Sequence, residues 1–103
     1  MKNIFDELHI GHMSFSTGEF ILNYQEFMTL IDFIFTHKTA IILGGNVLTE
    51  SDQYTYSNWY YNRDASLSRD ENIINSCLAA KEYLERMNHS ASLHYIVVLD
   101  NQS

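Results

Sequence analysis

Five histidines (His9, His12, His37, His89 and His94) and one cysteine, Cys77, are the side chains of this 103-residue chain best suited to metal binding or proton transfer. A zinc site needs three or four such ligands converging on one point, and sequence spacing normally announces it. Only His9 and His12 stand close together, three residues apart, with no cluster around them. Neither a metal nor a cofactor is expected. A thiol nucleophile needs a neighbouring base, and Cys77 with His94 is one pairing the composition offers. Cys77, however, falls on the apolar stripe of a helix, where a small buried side chain is the simpler role. Asp64, Asp70 and Glu71 can be read as carboxylates for hydrolysis, but Asp70 and Glu71 open that helix, where negative charge suits the dipole. Gly44-Gly45 follows a strand as phosphate loops do, yet no lysine, further glycine or helix start comes next. No catalytic residue is assigned. The enzyme alternative is a groove beside Gly44, Gly45 and Asn58 served by a histidine.

These residues are positioned by a hairpin around which the chain is organised. Thr39-Ala40-Ile41-Ile42-Leu43 is a short β-branched run ending at glycine, the pattern of a strand buried on both faces. After Gly44-Gly45 the chain continues extended through Asn46-Val47-Leu48. Glu50 to Gln53 make a polar turn, and Tyr54 to Tyr61 a second strand crowded with aromatics. A four-residue loop sets Thr49 opposite Tyr54, Gly44 opposite Trp59 and Gly45 opposite Asn58. In that register Gly44 leaves room for the Trp59 ring, and Gly45 takes a positive φ at a bulge. Tyr54, Tyr56, Asn58 and Tyr60 share one face of the strand, and Trp59 lies on the other.

Asn23-Tyr24-Gln25-Glu26 has the spacing of a capping box, and Phe27, Leu30, Ile31 and Ile34 repeat behind it, so residues 24–37 should form a helix on the sheet. Ser68 and Glu71 form a second box before Ile73, Cys77, Ala80, Leu84 and Met87, predicting a helix over 69–88. Leu93 to Leu99 is a third strand. Residues 1–22 read as turns around a short extended piece covering an edge or face of the sheet. The link from the second strand through the long helix to the third is a crossover, so those strands run parallel, with the first between them and both helices on one face. The expected fold is α+β: a small two-layer α/β sandwich with a mixed three-stranded sheet and two main helices on one face, in the order α-β-β-α-β. A chain of this length with 46% hydrophobic residues suits a single domain, 1–103.

A formal charge of −7 repels phosphate backbones and argues against nucleic-acid binding through a basic patch. It favours a basic protein partner. One cysteine leaves no internal disulfide and suits a reducing cytosol. Asp6 and Glu7 follow the N-terminus before any long apolar run, so no secretory signal is read there, and the apolar run Phe27 to Phe35 is too short to cross a bilayer. A cytoplasmic protein with no membrane or nucleic-acid contact is expected. A tyrosine face rimmed by Glu50, Asp52 and Asp64 has the composition of a protein-binding surface.

The run Ile41-Ile42-Leu43-Gly44-Gly45-Asn46-Val47, the run Tyr54-Thr55-Tyr56-Ser57-Asn58-Trp59-Tyr60, and an acidic-capped helix carrying Ser76, Ala80 and Tyr83 together resemble the immunity protein 40 family of bacterial polymorphic-toxin systems. The resemblance covers roughly residues 20 to 99. It implies an antitoxin that binds and neutralises a cognate toxin domain by stoichiometric protein–protein inhibition, without catalysis of its own. On that reading Asn46, Glu50, Asp52, Tyr54, Tyr56, Asn58, Tyr60 and Asp64 contact the partner, while Gly44, Gly45 and Trp59 are structural. Asn46 and Ser57 stand where the family patterns "ILGGDV" and "TYDNWY" carry aspartates, so two charges are missing there. Against a basic toxin such as a nuclease, Glu50, Asp52 and Asp64 would occupy the phosphate-binding cleft. The other reading, from a different class, is a structural homodimer joined through the aromatic sheet face.

Overall fold

Asn23 opens the first helix as its spacing predicts. Its side chain accepts the Glu26 N–H at 2.8 Å, and Glu26 Oε1 accepts the Asn23 N–H at 2.9 Å, closing the capping box. The computed structural model describes residues 8–13, 20–49, 51, 53–86 and 93–100. Its elements are β1 (His12–Met13), β2 (Phe20–Asn23), α1 (Tyr24–His37), β3 (Ile42–Leu48), β4 (Tyr54–Tyr60), α2 (Arg69–Arg86) and β5 (His94–Leu99). Lys38 ends α1 in the left-handed region at φ 53°, its N–H bonding the Ile34 carbonyl. Ser68 and Glu71 exchange bonds of 3.1 Å at the start of α2, the second capping box. The Met87 position and the turn before Leu93 lie outside the described residues.

The sheet corrects the sequence reading in two respects. Among the described residues every pairing is antiparallel, in the order β1-β2-β5-β3-β4. The expected placement of β3 between β4 and β5 is observed, so β4 and β5 run parallel to each other but are not paired. The described strands therefore form no mixed sheet. The three expected strands also gain β2, which zips along the far side of β5 with Ile21 opposite Ile96, and the two-residue β1 beyond it. The described order is β-β-α-β-β-α-β. Phe20-Ile21-Leu22 gives no alternation because Asn23 ends the strand and caps the helix in one residue. Glu26 ties this segment down, its Oε2 accepting the Gly11 N–H at 2.8 Å while Oε1 serves the cap.

Both helices contribute to one core. Phe27, Leu30, Ile31 and Ile34 of α1, and Ile73, Cys77, Ala80 and Leu84 of α2, pack with Leu22, Val47, Trp59, Tyr95, Val97 and Leu99 of the sheet. Ile21, Leu48 and Ile96, which alternate to the opposite sheet face, form a second, smaller buried cluster. Ser76, buried in α2, accepts the Ile42 N–H at 3.0 Å and donates to the Ile73 carbonyl at 2.9 Å, splicing helix to strand.

Asp100 closes the domain at the end of β5. One carboxylate oxygen accepts the Ile41 N–H at 2.8 Å, and the other pairs with Arg69 at 2.8 Å. Burial pushes the Asp100 carboxyl up, but Arg69 and the Ile41 N–H outweigh it and hold the group below its ordinary range. A folded value below the unfolded one stabilises above the unfolded value, near 3.9, and that contribution is lost as pH falls through the folded value. Asp100→Asn is expected to cost about 1 to 2 kcal/mol at neutral pH, since Arg69 is 43% exposed and its pairing is screened. Thermal melts from pH 7 to pH 3 should show the gap to wild type closing in acid; a constant gap would mean the charge contributes nothing.

Candidate functional site

Trp59 decides how β4 sits. Its ring stacks on Tyr83 with centroids 4.9 Å apart and lies 5.5 Å from Phe27, which in turn meets Tyr95 at 5.3 Å. This pile, between sheet and helices, buries a large apolar area and adds ring–ring terms of about 0.5 to 1.5 kcal/mol each. Burial raises the ordinary titration range of Tyr83, only partly offset by its hydrogen bond to Ser57. With Trp59 directed to the helices, alternation sends Asn58 and Tyr60 to the other face.

The glycines serve this arrangement with roles exchanged from the sequence reading. Gly44 lies opposite Tyr60, Gly45 opposite Trp59, and Asn46 opposite Asn58, one residue away from the expected register. The strand does not break at the glycines but runs through them. At the turn Leu48 rather than Thr49 faces Tyr54, one residue off in the opposite sense. β4 then carries two extra residues between the Leu48–Tyr54 and Asn46–Asn58 pairs, which leaves the glycines one residue beyond the expected pairing. Thr55 stabilises that bulge: its hydroxyl donates to the Val47 carbonyl at 2.9 Å and accepts the Ser57 N–H at 3.2 Å. Gly45 is the residue beneath the Trp59 ring, and Gly44 is the one with positive φ, 144°. Leu43 is the extra residue of a second bulge against β5, between the Ile42–Leu99 and Gly44–Val98 pairs.

The result is a row across three strands, Val98, Gly44 and Tyr60, on the sheet face opposite the helices. Val98 is 42% and Tyr60 74% exposed. Gly44 gives only backbone to the middle of the row, its φ aiming any Cβ at the Trp59 carbonyl of β4. A shallow depression of about 310 Å³ lies there, with Leu43, Asn46 and Asn58 also on its wall. Asn46 is half-buried and Asn58 exposed. Tyr60 is the one titratable side chain among the lining residues, so the depression offers contact and hydrogen bonding rather than an acid–base pair.

Of the expected partner residues, Asn46, Asn58 and Tyr60 are therefore brought together. Asp64 stands apart, at the far end of the chain leaving β4, and is exposed. Its Oδ1 accepts both the N–H and the hydroxyl of Ser66, at 2.9 and 2.6 Å, which hold its carboxyl below the ordinary range. Glu50 and Asp52 lie outside the described residues, as do the side chains of Tyr54 and Tyr56.

Asn72 was not singled out from the sequence, where it is one more polar residue at a helix start. It is 1% exposed. Its Oδ1 accepts the Tyr61 hydroxyl and the Asp64 N–H, each at 2.8 Å, and its Nδ2 donates to the carbonyls of Asp64 and Ser68 at 2.9 and 3.1 Å. One side chain thus shapes the connection from β4 to α2. A polar residue on the inward face of an otherwise apolar stripe is the sequence signal that marks it.

Cys77 is buried, and burial pushes its thiol up to about 11, so it stays protonated and unreactive at neutral pH. Among the described residues, no three His, Cys, Asp or Glu side chains gather as metal ligands. No described helix is long and apolar enough to cross a membrane. The family model for immunity protein 40 matches residues 10–100 of the chain. No curated protein and no solved structure matches it.

Proposed function

The chain belongs to the immunity protein 40 family, and from that premise we propose that it is a cytoplasmic antitoxin that binds a cognate toxin domain one to one and blocks it, with no catalysis of its own. The observation that carries the choice of surface is the exposed pair Tyr60 and Val98 flanking Gly44. Two exposed apolar side chains beside the depression, with Asn46 and Asn58 adjoining, supply an anchor, a recess and amide hydrogen-bonding groups on one rigid sheet. The charge of −7 steers a basic toxin toward it. A nuclease is the basic class that fits, with Glu50 and Asp52 as the carboxylates offered to its phosphate-binding cleft, while Asp64, past the other end of β4, adds to the attractive field.

Co-expression with the protein encoded by the open reading frame beside this chain's gene tests the reading. Restored growth together with a one-to-one complex is the expected result; no complex and no rescue would refute it. Within a complex, Tyr60→Ala should weaken binding by about 2 kcal/mol, roughly 30-fold in Kd, while leaving the melting temperature within a few degrees because Tyr60 is 74% exposed. Unchanged affinity would move the contact surface elsewhere. Charge reversal at Glu50, Asp52 and Asp64 together should slow association and flatten its salt dependence.

A further inference from the structure

β4 is the last strand of the sheet, and its outer side meets no other strand among the described residues. Long open edges are normally protected by lysine, proline or very short length, because unpaired N–H and C=O groups invite another strand. From Tyr54 to Tyr60 there is neither a charged residue nor a proline, in a chain carrying −7 overall. Among the described residues its one protective device is the bulge before Asn58.

Beyond the bulge the ladder is regular, and its hydrogen-bond phase fixes which groups face outward. The Tyr61 N–H donates to the Leu43 carbonyl at 2.8 Å, marking that pair as one whose backbone groups face each other. Pairs alternate along an antiparallel ladder. Gly45 and Trp59 are then the next pair to exchange bonds, while Asn58 and Tyr60, opposite Asn46 and Gly44, turn their own N–H and C=O groups away from β3. The residues whose side chains border the depression therefore also present two donors and two acceptors along the edge.

We propose that β4 receives an extended segment of a basic protein partner by strand addition, main chain to main chain at Asn58 and Tyr60. The inference rests on the antitoxin reading and gives its partner a binding mode. Charge decides between occupants: a second copy would bring −7 against −7 across the seam, whereas a basic chain meets a neutral edge inside an attractive field.

The test is Asn58→Pro beside Asn58→Ala. Proline removes the outward N–H without breaking any bond to β3, a position where an edge strand tolerates it, and alanine removes the same side chain while keeping the N–H. Binding to the protein encoded by the adjacent open reading frame is measured by calorimetry, with thermal melts on each variant. Proline is expected to weaken binding at least ten-fold more than alanine. Equal affinities in folded variants overturn the proposal. Hydrogen exchange on the wild-type chain gives a readout independent of any variant: the Asn58 and Tyr60 amides should gain protection in the complex, and no gain overturns the proposal. A wild-type chain that forms no complex removes the antitoxin reading and this inference together. A homodimer of this chain that Asn58→Pro dissociates assigns the edge to a second copy and overturns it alone.

Discussion

Gly45→Ala is expected to cost about 4 kcal/mol or more, enough to remove much of the stability of a domain this size. A Cβ at Gly45 would lie 1.8 Å from the Ile96 carbonyl oxygen and 2.7 Å from the Trp59 ring. The ring can shift, but the carbonyl belongs to β5, paired with β3 on one side and β2 on the other. Making room means opening the sheet at its centre, which the figure of about 1 to 3 kcal/mol for overpacking side chains in a well-packed core understates. Thermal and urea unfolding should show a fall in melting temperature of more than about 15 °C. The double variant Gly45→Ala with Trp59→Leu should recover little, because it relieves only the ring contact. A single variant that melts within a few degrees of wild type would show that β3 and β5 are not packed as closely as described.

Asn72→Ala is the second large effect, expected at about 3 kcal/mol. Truncation leaves the Tyr61 hydroxyl, the Asp64 N–H and the Asp64 carbonyl without the partner that now answers them, at about 1 kcal/mol or more for each group kept from water. Tyr61→Phe removes one of those bonds and should cost about 1 kcal/mol. The two variants separate a lost contact from a lost template. Hydrogen exchange at the Asp64 amide should accelerate in Asn72→Ala and stay slow in Tyr61→Phe. Equal exchange in both would mean the connection between β4 and α2 holds its shape without Asn72. Since that connection carries Asp64, Asn72→Ala should also weaken partner binding if Asp64 is part of the contact.

The elements decided by local chemistry were readable in the residues. Both capping boxes, the span of α1, the start of α2 and the strand before the C-terminus follow from side chains a few positions apart, so neighbours in sequence carry the whole signal. That Tyr60 and Trp59 lie on opposite faces follows in the same way from alternation along one strand; which of them is buried was decided by the packing of Trp59 on Tyr83 and Phe27. Asn46, Asn58 and Tyr60 could be grouped because they belong to one hairpin. The burial of Cys77 was readable from its place on an apolar stripe.

Other features depend on residues far apart in the chain, and only the tertiary structure decided them. The register of β3 on β4 rests on the bulge at Thr55, whose hydroxyl bonds a carbonyl of the facing strand; no local count of turn residues contains that bond. The same displacement exchanged the roles of Gly44 and Gly45. β2 was hidden because a four-residue strand gains its stability from pairing with β5, more than 70 residues away by sequence numbering. Val98 joined the candidate surface because pairing with Gly44 set it beside Tyr60. Asn72 acquired its role from a loop that has to fold back to reach it. Periodicity and capping thus assigned the pieces, whereas pairing energies between distant strands placed them, and the exposed row on the open sheet face is a product of that placement.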